Sequence, residues 1–303
     1  MKRLLSLIAL SIAAVASDDT PLPVVIWHGL GDDATSEGMS IVGDILDSVH
    51  PGTFVYPINV AGGGSDRQQT FLGNVSEQIE IACGLLANHP ILSTAPAIDA
   101  LGFSQGGQFL RGYVERCNNP PVRSLVTYGS QHNGISEFRD CAWSDWVCRG
   151  AMALLKYNVW GDYVQSRVVP AQYYRNLDEY DSYLEHSGFL ADINNERKVK
   201  NATYKKNLAS LSKFVMVEFE DDTVVIPKQT SWFAEVNGTD IIPLKERAIY
   251  KEDWIGLKEL DKKGALFYRS VTGEHMQFSD DALKDTAKEF FGPFKKGFVS
   301  EEL

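Results

Sequence analysis

Basic residues are in short supply in this chain. Its 303 residues include 29 Lys and Arg against 40 Asp and Glu, a formal net charge of −11. Nucleic acids and anionic lipid surfaces recruit clustered Lys and Arg, so this balance argues against either as the main partner. Cysteine is scarce too, limited to Cys83, Cys117, Cys141 and Cys148. No Cys-x-x-Cys pair stands among them, which weighs against zinc. A His-Glu-x-x-His helix, a phosphate loop and a dinucleotide fingerprint are all missing. Gly62-Gly63-Gly64 lacks the Lys-Ser/Thr of a phosphate loop and is expected to be a flexible loop. No metal and no organic cofactor is called for. Nor does any stretch reach the roughly 18 apolar residues that cross a bilayer as a helix.

The amino terminus carries a different signal. Lys2 and Arg3 precede an apolar run from Leu4 to Ala16 that ends in Ala14-Val15-Ala16. A basic start, a short apolar middle and small residues before a cleavage point are the marks of a secretory signal peptide, placed at residues 1–16. Its removal would leave 27 basic against 40 acidic residues. Asn74, Asn201 and Asn237 open Asn-x-Ser/Thr acceptors for N-glycosylation, as an exported chain permits. Four cysteines allow three pairings, or free buried thiols. Cys141 and Cys148 are close enough in sequence for a local bridge. The terminal Ser300-Glu301-Glu302-Leu303 lacks the pair that completes an ER-retention tail and reads as a solvated acidic end.

At 44% hydrophobic and 23% charged residues, the chain has the composition of a globular protein with a large core. Val24–Trp27, Thr53–Ile58, Ala97–Phe103 and Val122–Tyr128 are predicted strands. Helical patterns alternate with them: a polar stretch to about Ser48, then Gln68–Leu86 and Gly106–Glu115. Such alternation implies a mostly parallel sheet flanked by helices, an α/β fold. From residue 131 to 212 no strand is evident and aromatics are frequent, including Trp143, Trp146, Tyr157, Trp160, Tyr163, Tyr173 and Tyr174. This segment is expected to be a mostly helical insertion within one domain over 17–303. The sheet resumes at Phe214–Phe219 and again near Ala265–Tyr268, with a closing helix at Asp281–Phe291.

The chemistry centres on Gly102-Phe103-Ser104-Gln105-Gly106, a Gly-x-Ser-x-Gly between a predicted strand and a predicted helix. That context puts the serine on a sharp turn with its hydroxyl exposed at the carboxyl edge of the sheet. A serine needs a base, and in this architecture the chain order is Ser, acid, His. Of six histidines, only His275 lies beyond the last strand. His28 and His132 follow the first and fourth strands and are expected to shape loops. His50, His89 and His186 read as ordinary surface or loop histidines. The acid should end the strand after the insertion, where Asp221 and Asp222 compete. Asp222, first in an Asp-x-x-Val-x-Pro turn, is preferred. An oxyanion would be met by the backbone N–H groups of Leu30 and Gln105. Asp32-Asp33 and Asp280-Asp281 read as solvated loop and helix-start charges.

These residues resemble the palmitoyl-protein thioesterases. The resemblance runs from about Pro21 nearly to the carboxyl terminus. It is carried by Val25-Ile26-Trp27-His28-Gly29-Leu30-Gly31-Asp32, by Gly102 to Arg111, and by Phe189-Leu190-Ala191-Asp192-Ile193-Asn194. Tyr204 to Leu208, Lys213 to Val217 and Gly256 to Glu259 fit as well. It implies an α/β-hydrolase fold, with the insertion after the fold's sixth strand. The implied activity is removal of long-chain acyl groups, chiefly palmitoyl, from S-acylated cysteine of proteins or peptides in a lysosome, a vacuole or the medium. Palmitoyl-CoA is a further candidate substrate, and a monomer is expected. The resemblance places the triad on Ser104, Asp222 and His275 and favours Cys83–Cys117 and Cys141–Cys148 as disulfides. A long acyl chain needs an apolar groove, expected to be walled by the aromatic insertion with Val224 and Val225. Asp33-Ala34 stands where mammalian members carry an adjacent cysteine pair. Leu30 replaces a methionine, and Asp221 a glycan acceptor. A lipase or carboxylesterase on the same fold is the competing reading.

Overall fold

The computed structural model describes residues 19–138, 141–142 and 144–294. The expected leader at residues 1–16, the tail at 300–303 and Trp143 lie outside the described residues. Six strands form one sheet in the order β2-β1-β3-β4-β5-β8. They are β1 (Val24–Trp27), β2 (Val55–Pro57), β3 (Ile98–Phe103), β4 (Val122–Tyr128), β5 (Lys213–Phe219) and β8 (Leu266–Val271). Every pairing is parallel, in registers such as Val25 opposite Ala100 and Ala100 opposite Leu125. β6 (Glu235–Asn237) and β7 (Asp240–Ile242) form a separate antiparallel hairpin, too short to leave an alternating pattern in the sequence.

Both faces of the sheet are covered, which is why its central strands read as unbroken apolar runs. Side chains alternate between the faces with the strand period of two. Val25, Ala100, Leu125, Phe214 and Met216 join one core, packed by α3 (Val75–Asn88), α4 (Gln105–Arg116), α9 (Ala202–Ala209) and α11 (Leu257–Lys262). Val24, Ile26, Leu101, Val126, Val215 and Val217 join the other, under α1 (Glu37–Val49) and α12 (Asp280–Phe290). Truncating a fully buried ring such as Phe214 to alanine is expected to cost about 3–5 kcal/mol. This doubly wound, all-parallel sheet is the α/β-hydrolase architecture.

The helix expected over Gln68–Leu86 is two helices. α2 is one turn, Asp66–Gln69, and α3 begins at Val75. Between them Leu72 bridges to Val168, and the Gly73 amide donates to the Arg167 carbonyl at 2.8 Å. Asn74 then starts the second helix by accepting the Glu77 amide on its side chain. A contact to a segment almost a hundred residues away thus interrupts a locally helical pattern. Between β4 and β5 run α5 (Trp146–Asn158), α6 (Asp162–Arg167), α7 (Tyr180–His186), α8 (Leu190–Ile193) and α9, with 3-10 turns among them. After the β6–β7 hairpin comes the short α10 (Ala248–Lys251). Disulfides join Cys83 to Cys117 and Cys141 to Cys148, the pairing implied by the resemblance. No helix among the described residues is long and apolar enough to cross a membrane.

Candidate active site

The strand order reverses at β1, whose neighbours are β2 and β3. Open α/β sheets bind ligands beyond the carboxyl ends of strands at such a reversal. Ser104 follows β3 there, and Leu30 follows β1. Ser104 has φ 52° and ψ −127°, a strained conformation for a residue with a side chain. Gly106 makes the turn possible. A Cβ on it would sit 2.2 Å from the Trp27 carbonyl oxygen, so only glycine lets α4 start against β1.

Two loops deliver side chains to Ser104. His275, on the loop between β8 and α12, brings Nε2 to 3.1 Å from the Ser104 hydroxyl. Its Nδ1 is 2.7 Å from Oδ2 of Asp222, just beyond β5. The other carboxylate oxygen of Asp222 accepts the Val224 and Val225 amides at 2.8 and 2.9 Å. Asp222 is therefore buried and fixed, whereas Asp221 is exposed and anchors the His275 loop only through its backbone amide, bonded to the Gly273 carbonyl. In this geometry the ring can take a proton from Ser104 on one nitrogen while the carboxylate holds the other.

The loop 28–34 completes the mouth of the site. Gly29 lies against Ser104 so closely that a Cβ there would be 3.1 Å from the serine Cβ. Leu30 follows it, and Gln105 opens α4, so its amide is one of those a helix leaves without an intrahelical partner. The side chains that hold this loop were invisible in the sequence. Asp66 Oδ2 contacts His28 Nε2 at 2.9 Å and accepts the Ala34 amide at 2.9 Å. Thr70 accepts the Gly31 amide on its hydroxyl, and its carbonyl accepts the Gln105 side chain. The α2 turn thus grips the loop carrying Leu30 and the residue carrying the second amide. Burial pulls the His28 pKa down, but the hydrogen bond and charge of Asp66, aided by Gly29 and Asp32, outweigh it and raise it above the ordinary histidine value.

The remaining histidines lie elsewhere. His132 is buried, stacked on Phe233 and bonded to Thr127, and burial together with the nearby Arg111 charge holds its pKa well below the ordinary value. His50 bonds the Ala287 carbonyl, His89 accepts from the Ile91 and Leu92 amides, and His186 is exposed beside Glu185. Among the described residues no cluster of His, Cys, Asp and Glu could hold a metal.

A cavity of about 620 Å³ opens at Ser104 and His275. Val224 and Val225 line it, as do Leu30, Met39, Phe71, Phe138, Met152 and Phe278. Arg67 and Asp145 pair at 2.6 Å within its lining, and Asp145 also caps α5. The insertion over 131–212 contributes Ile135, Phe138, Cys148, Met152, Pro170 and Tyr173 to this lining. Of the named aromatics among the described residues, Tyr173 lines it and Trp146, Tyr157, Trp160, Tyr163 and Tyr174 do not. Trp146, Tyr157 and Tyr163 are exposed, because α5 turns Val147, Ala151, Met152 and Leu155 inward and α6 turns Val164 and Gln165 inward. Asp32, expected to be a solvated loop charge, also lines the cavity.

A family model described as palmitoyl protein thioesterase matches residues 23–275. The chain belongs to the palmitoyl protein thioesterase family. It is 37% identical to palmitoyl-protein thioesterase 1 of Caenorhabditis elegans over 95% of this chain and 98% of that one. Palmitoyl-protein thioesterase 3 of Dictyostelium discoideum is 33% identical, covering 97% of this chain and 98% of that one. Lysosomal thioesterase PPT2 of Rattus norvegicus is 28% identical over 83% of this chain and 80% of its own. The family match spans the strand ends that carry Leu30, Ser104, Asp222 and His275. As a member of this family the chain is a thioester hydrolase.

Proposed function

We propose that the protein removes long-chain acyl groups, chiefly palmitoyl, from S-acylated cysteine of proteins or peptides by a serine acyl-enzyme mechanism. The observation that carries this reading is the line of hydrogen bonds from Ser104 through His275 to Asp222 at the mouth of an apolar cavity. Ser104 Oγ attacks the thioester carbonyl while His275 Nε2 takes its proton. Asp222 holds the imidazole in the tautomer that exposes Nε2 and stabilises the imidazolium. The oxyanion is met by the Leu30 and Gln105 amides. Collapse of the tetrahedral intermediate expels the cysteine thiolate. With a parent pKa of about 8.5, that group leaves more readily than an alkoxide, so little acid assistance is required. The departed thiolate takes up the proton held by His275, and the neutral ring then deprotonates a water that attacks the acyl-serine; return of that proton to Ser104 Oγ releases the fatty acid and restores the serine.

Long apolar walls around Ser104 suit a fatty acyl chain, and Val224 and Val225 place the wall next to the acid. The acceptors Asn74, Asn201 and Asn237, the leader at 1–16 and a lysosomal relative together support passage through the secretory pathway to a lysosome, a vacuole or the medium. The decisive experiment compares hydrolysis of an S-palmitoyl peptide and palmitoyl-CoA with that of triglyceride and short oxygen esters, with Ser104→Ala as control. Palmitoyl thioester turnover that vanishes in Ser104→Ala is expected. Preference for short oxygen esters would instead make the protein a carboxylesterase, and full activity in Ser104→Ala would overturn the site assignment.

A further inference from the structure

The insertion reaches the start of α4 through Tyr173, which is buried and lines the cavity at Ser104. Its hydroxyl donates to Oε1 of Gln105 at 3.0 Å. The other end of that buried carboxamide, Nε2, donates to the Thr70 carbonyl at 3.3 Å. Thr70 in turn accepts the Gly31 amide on its hydroxyl at 2.8 Å. A line of hydrogen bonds thus runs from the insertion through Gln105 to the residue that follows Leu30. Gln105 and Leu30 are the two residues whose backbone amides meet the oxyanion in the mechanism proposed above.

The backbone that carries Tyr173 is itself held on two sides. Val169 donates its amide to the Phe71 carbonyl at 2.9 Å, and the Tyr173 carbonyl accepts the Ile135 amide at 3.1 Å. Next to it, the Gln172 side chain accepts the Val75 amide and donates to the Gly73 carbonyl. The hydroxyl therefore has a fixed place. Burial raises the Tyr173 phenol above the ordinary tyrosine value, although a hydrogen bond from Gln131 opposes the rise, so the group keeps its proton and remains a donor. A phenol oxygen can accept from one amide while its proton goes to another.

We propose that Tyr173 is a positioning residue of the hydrolysis, which fixes the Gln105 side chain and through it the Gln105 and Leu30 amides where the oxyanion forms. The inference rests on the serine mechanism proposed above. An oxyanion donor helps only if it already stands where the charge develops. A backbone amide takes that place from whatever its residue is tied to, and Gln105 is tied at both ends of its side chain. It also directly follows Ser104, whose φ of 52° persists only where the surroundings enforce it. Tyr173 is one of the groups that enforce it.

The test is steady-state kinetics of Tyr173→Phe, which removes the hydroxyl and keeps the ring, on an S-palmitoyl peptide and on a soluble short-chain thioester. On both, kcat should fall about tenfold with KM changed less than about twofold, because every acyl group meets the same amides. A long-chain trifluoromethyl ketone gives an oxyanion when Ser104 Oγ adds to it and His275 takes the proton. Its binding should weaken by about the same factor, whereas binding of palmitate should not. Gln105→Leu removes the other end of the bond and should lower kcat at least as much. Tyr173→Phe added to Gln105→Leu should then cost less than about twofold more. Tyr113→Phe removes a similarly buried hydroxyl, bonded to the Pro120 carbonyl, and should leave kcat unchanged. A loss confined to KM, or one that grows with acyl length, would overturn the proposal, because Tyr173 would then only shape the groove. So would an unchanged kcat in Tyr173→Phe, or losses that multiply in the double variant. If the wild-type protein turns over oxygen esters alone, the same ratios measured on an ester still decide the role of Tyr173, while the proposed function falls.

Discussion

Asp221 and Asp222 are neighbours with opposite surroundings, and the difference is what the proposed triad draws on. Asp222 is buried against His275 and two amides, while Asp221 faces solvent. Asp222→Asn should lower kcat by about 10⁴-fold, because an amide favours the wrong imidazole tautomer. Asp221→Asn should change kcat by less than about twofold, as expected for an exposed side chain. Steady-state kinetics on one S-palmitoyl substrate checks both, and equal losses would reassign the acid. Ser104, the acidic pair and His275 were legible because each ends a strand or follows one in a fixed chain order. Asp66 was not. It meets His28 across 38 residues of sequence, and the contact exists only once α2 packs beside the 28–34 loop. Asp66→Ala should therefore lower kcat by about 10²-fold with little change in KM, through displacement of the Leu30 amide. Asp66→Asn, which keeps an acceptor, should lose less; a change confined to KM would refute the positioning role.

At the scale of elements, legibility followed burial. β3, β4 and β5 are covered on both faces, and their β-branched and aromatic runs announce them. Gln68–Leu86 misled because its break is tertiary: the Leu72–Val168 bridge holds the chain open where local pattern favours helix. The insertion was legible as a segment but not in the direction its side chains take. The inner face of α5 is Val147, Ala151, Met152 and Leu155, with Trp146 and Tyr157 outward. Composition counts such residues and cannot say which way a helix turns them. If α5 walls an acyl groove, Met152 is the position at which bulk should shorten it, since it lines the cavity from the middle of the helix. Met152→Trp should raise the ratio of octanoyl to palmitoyl kcat/KM by at least about tenfold, given the discrimination a few methylenes provide. Acyl-length profiling measures it, and an unchanged ratio would place the chain elsewhere in the cavity.

For the whole molecule, net charge describes neither its local surfaces nor its response to pH. The value of −11 is a sum over the chain, whereas α5 itself holds two basic residues and no acidic one. The response to pH depends on buried groups. Burial pushes Asp99 up to about 6 and Glu115 up to about 7, despite the attraction of Arg123 and Arg111. Burial also raises Glu218, with Asp222 and Glu220 adding to the effect against Lys228. His28 is raised as well, where Asp66 outweighs burial. A raised group binds more protons folded than unfolded, so each of these four makes stability fall as pH rises between its unfolded and folded values. His132 has the opposite sign. Burial keeps it neutral, which costs stability below the ordinary histidine value of about 6.5 and nothing above it. Between about pH 5 and 6.5 it therefore opposes the other four. Above about 6.5 it is neutral folded or unfolded and drops out, while Glu115 and His28 still release protons. The thermal unfolding midpoint should then fall most clearly from about pH 6.5 to 7.5. Asp66→Asn should flatten the part of that slope due to His28, because it removes the charge that raises the histidine. Calorimetry of both proteins across this range measures the slope. A midpoint that climbs with pH there would mean that Glu115 and His28 do not hold their extra protons in the folded chain.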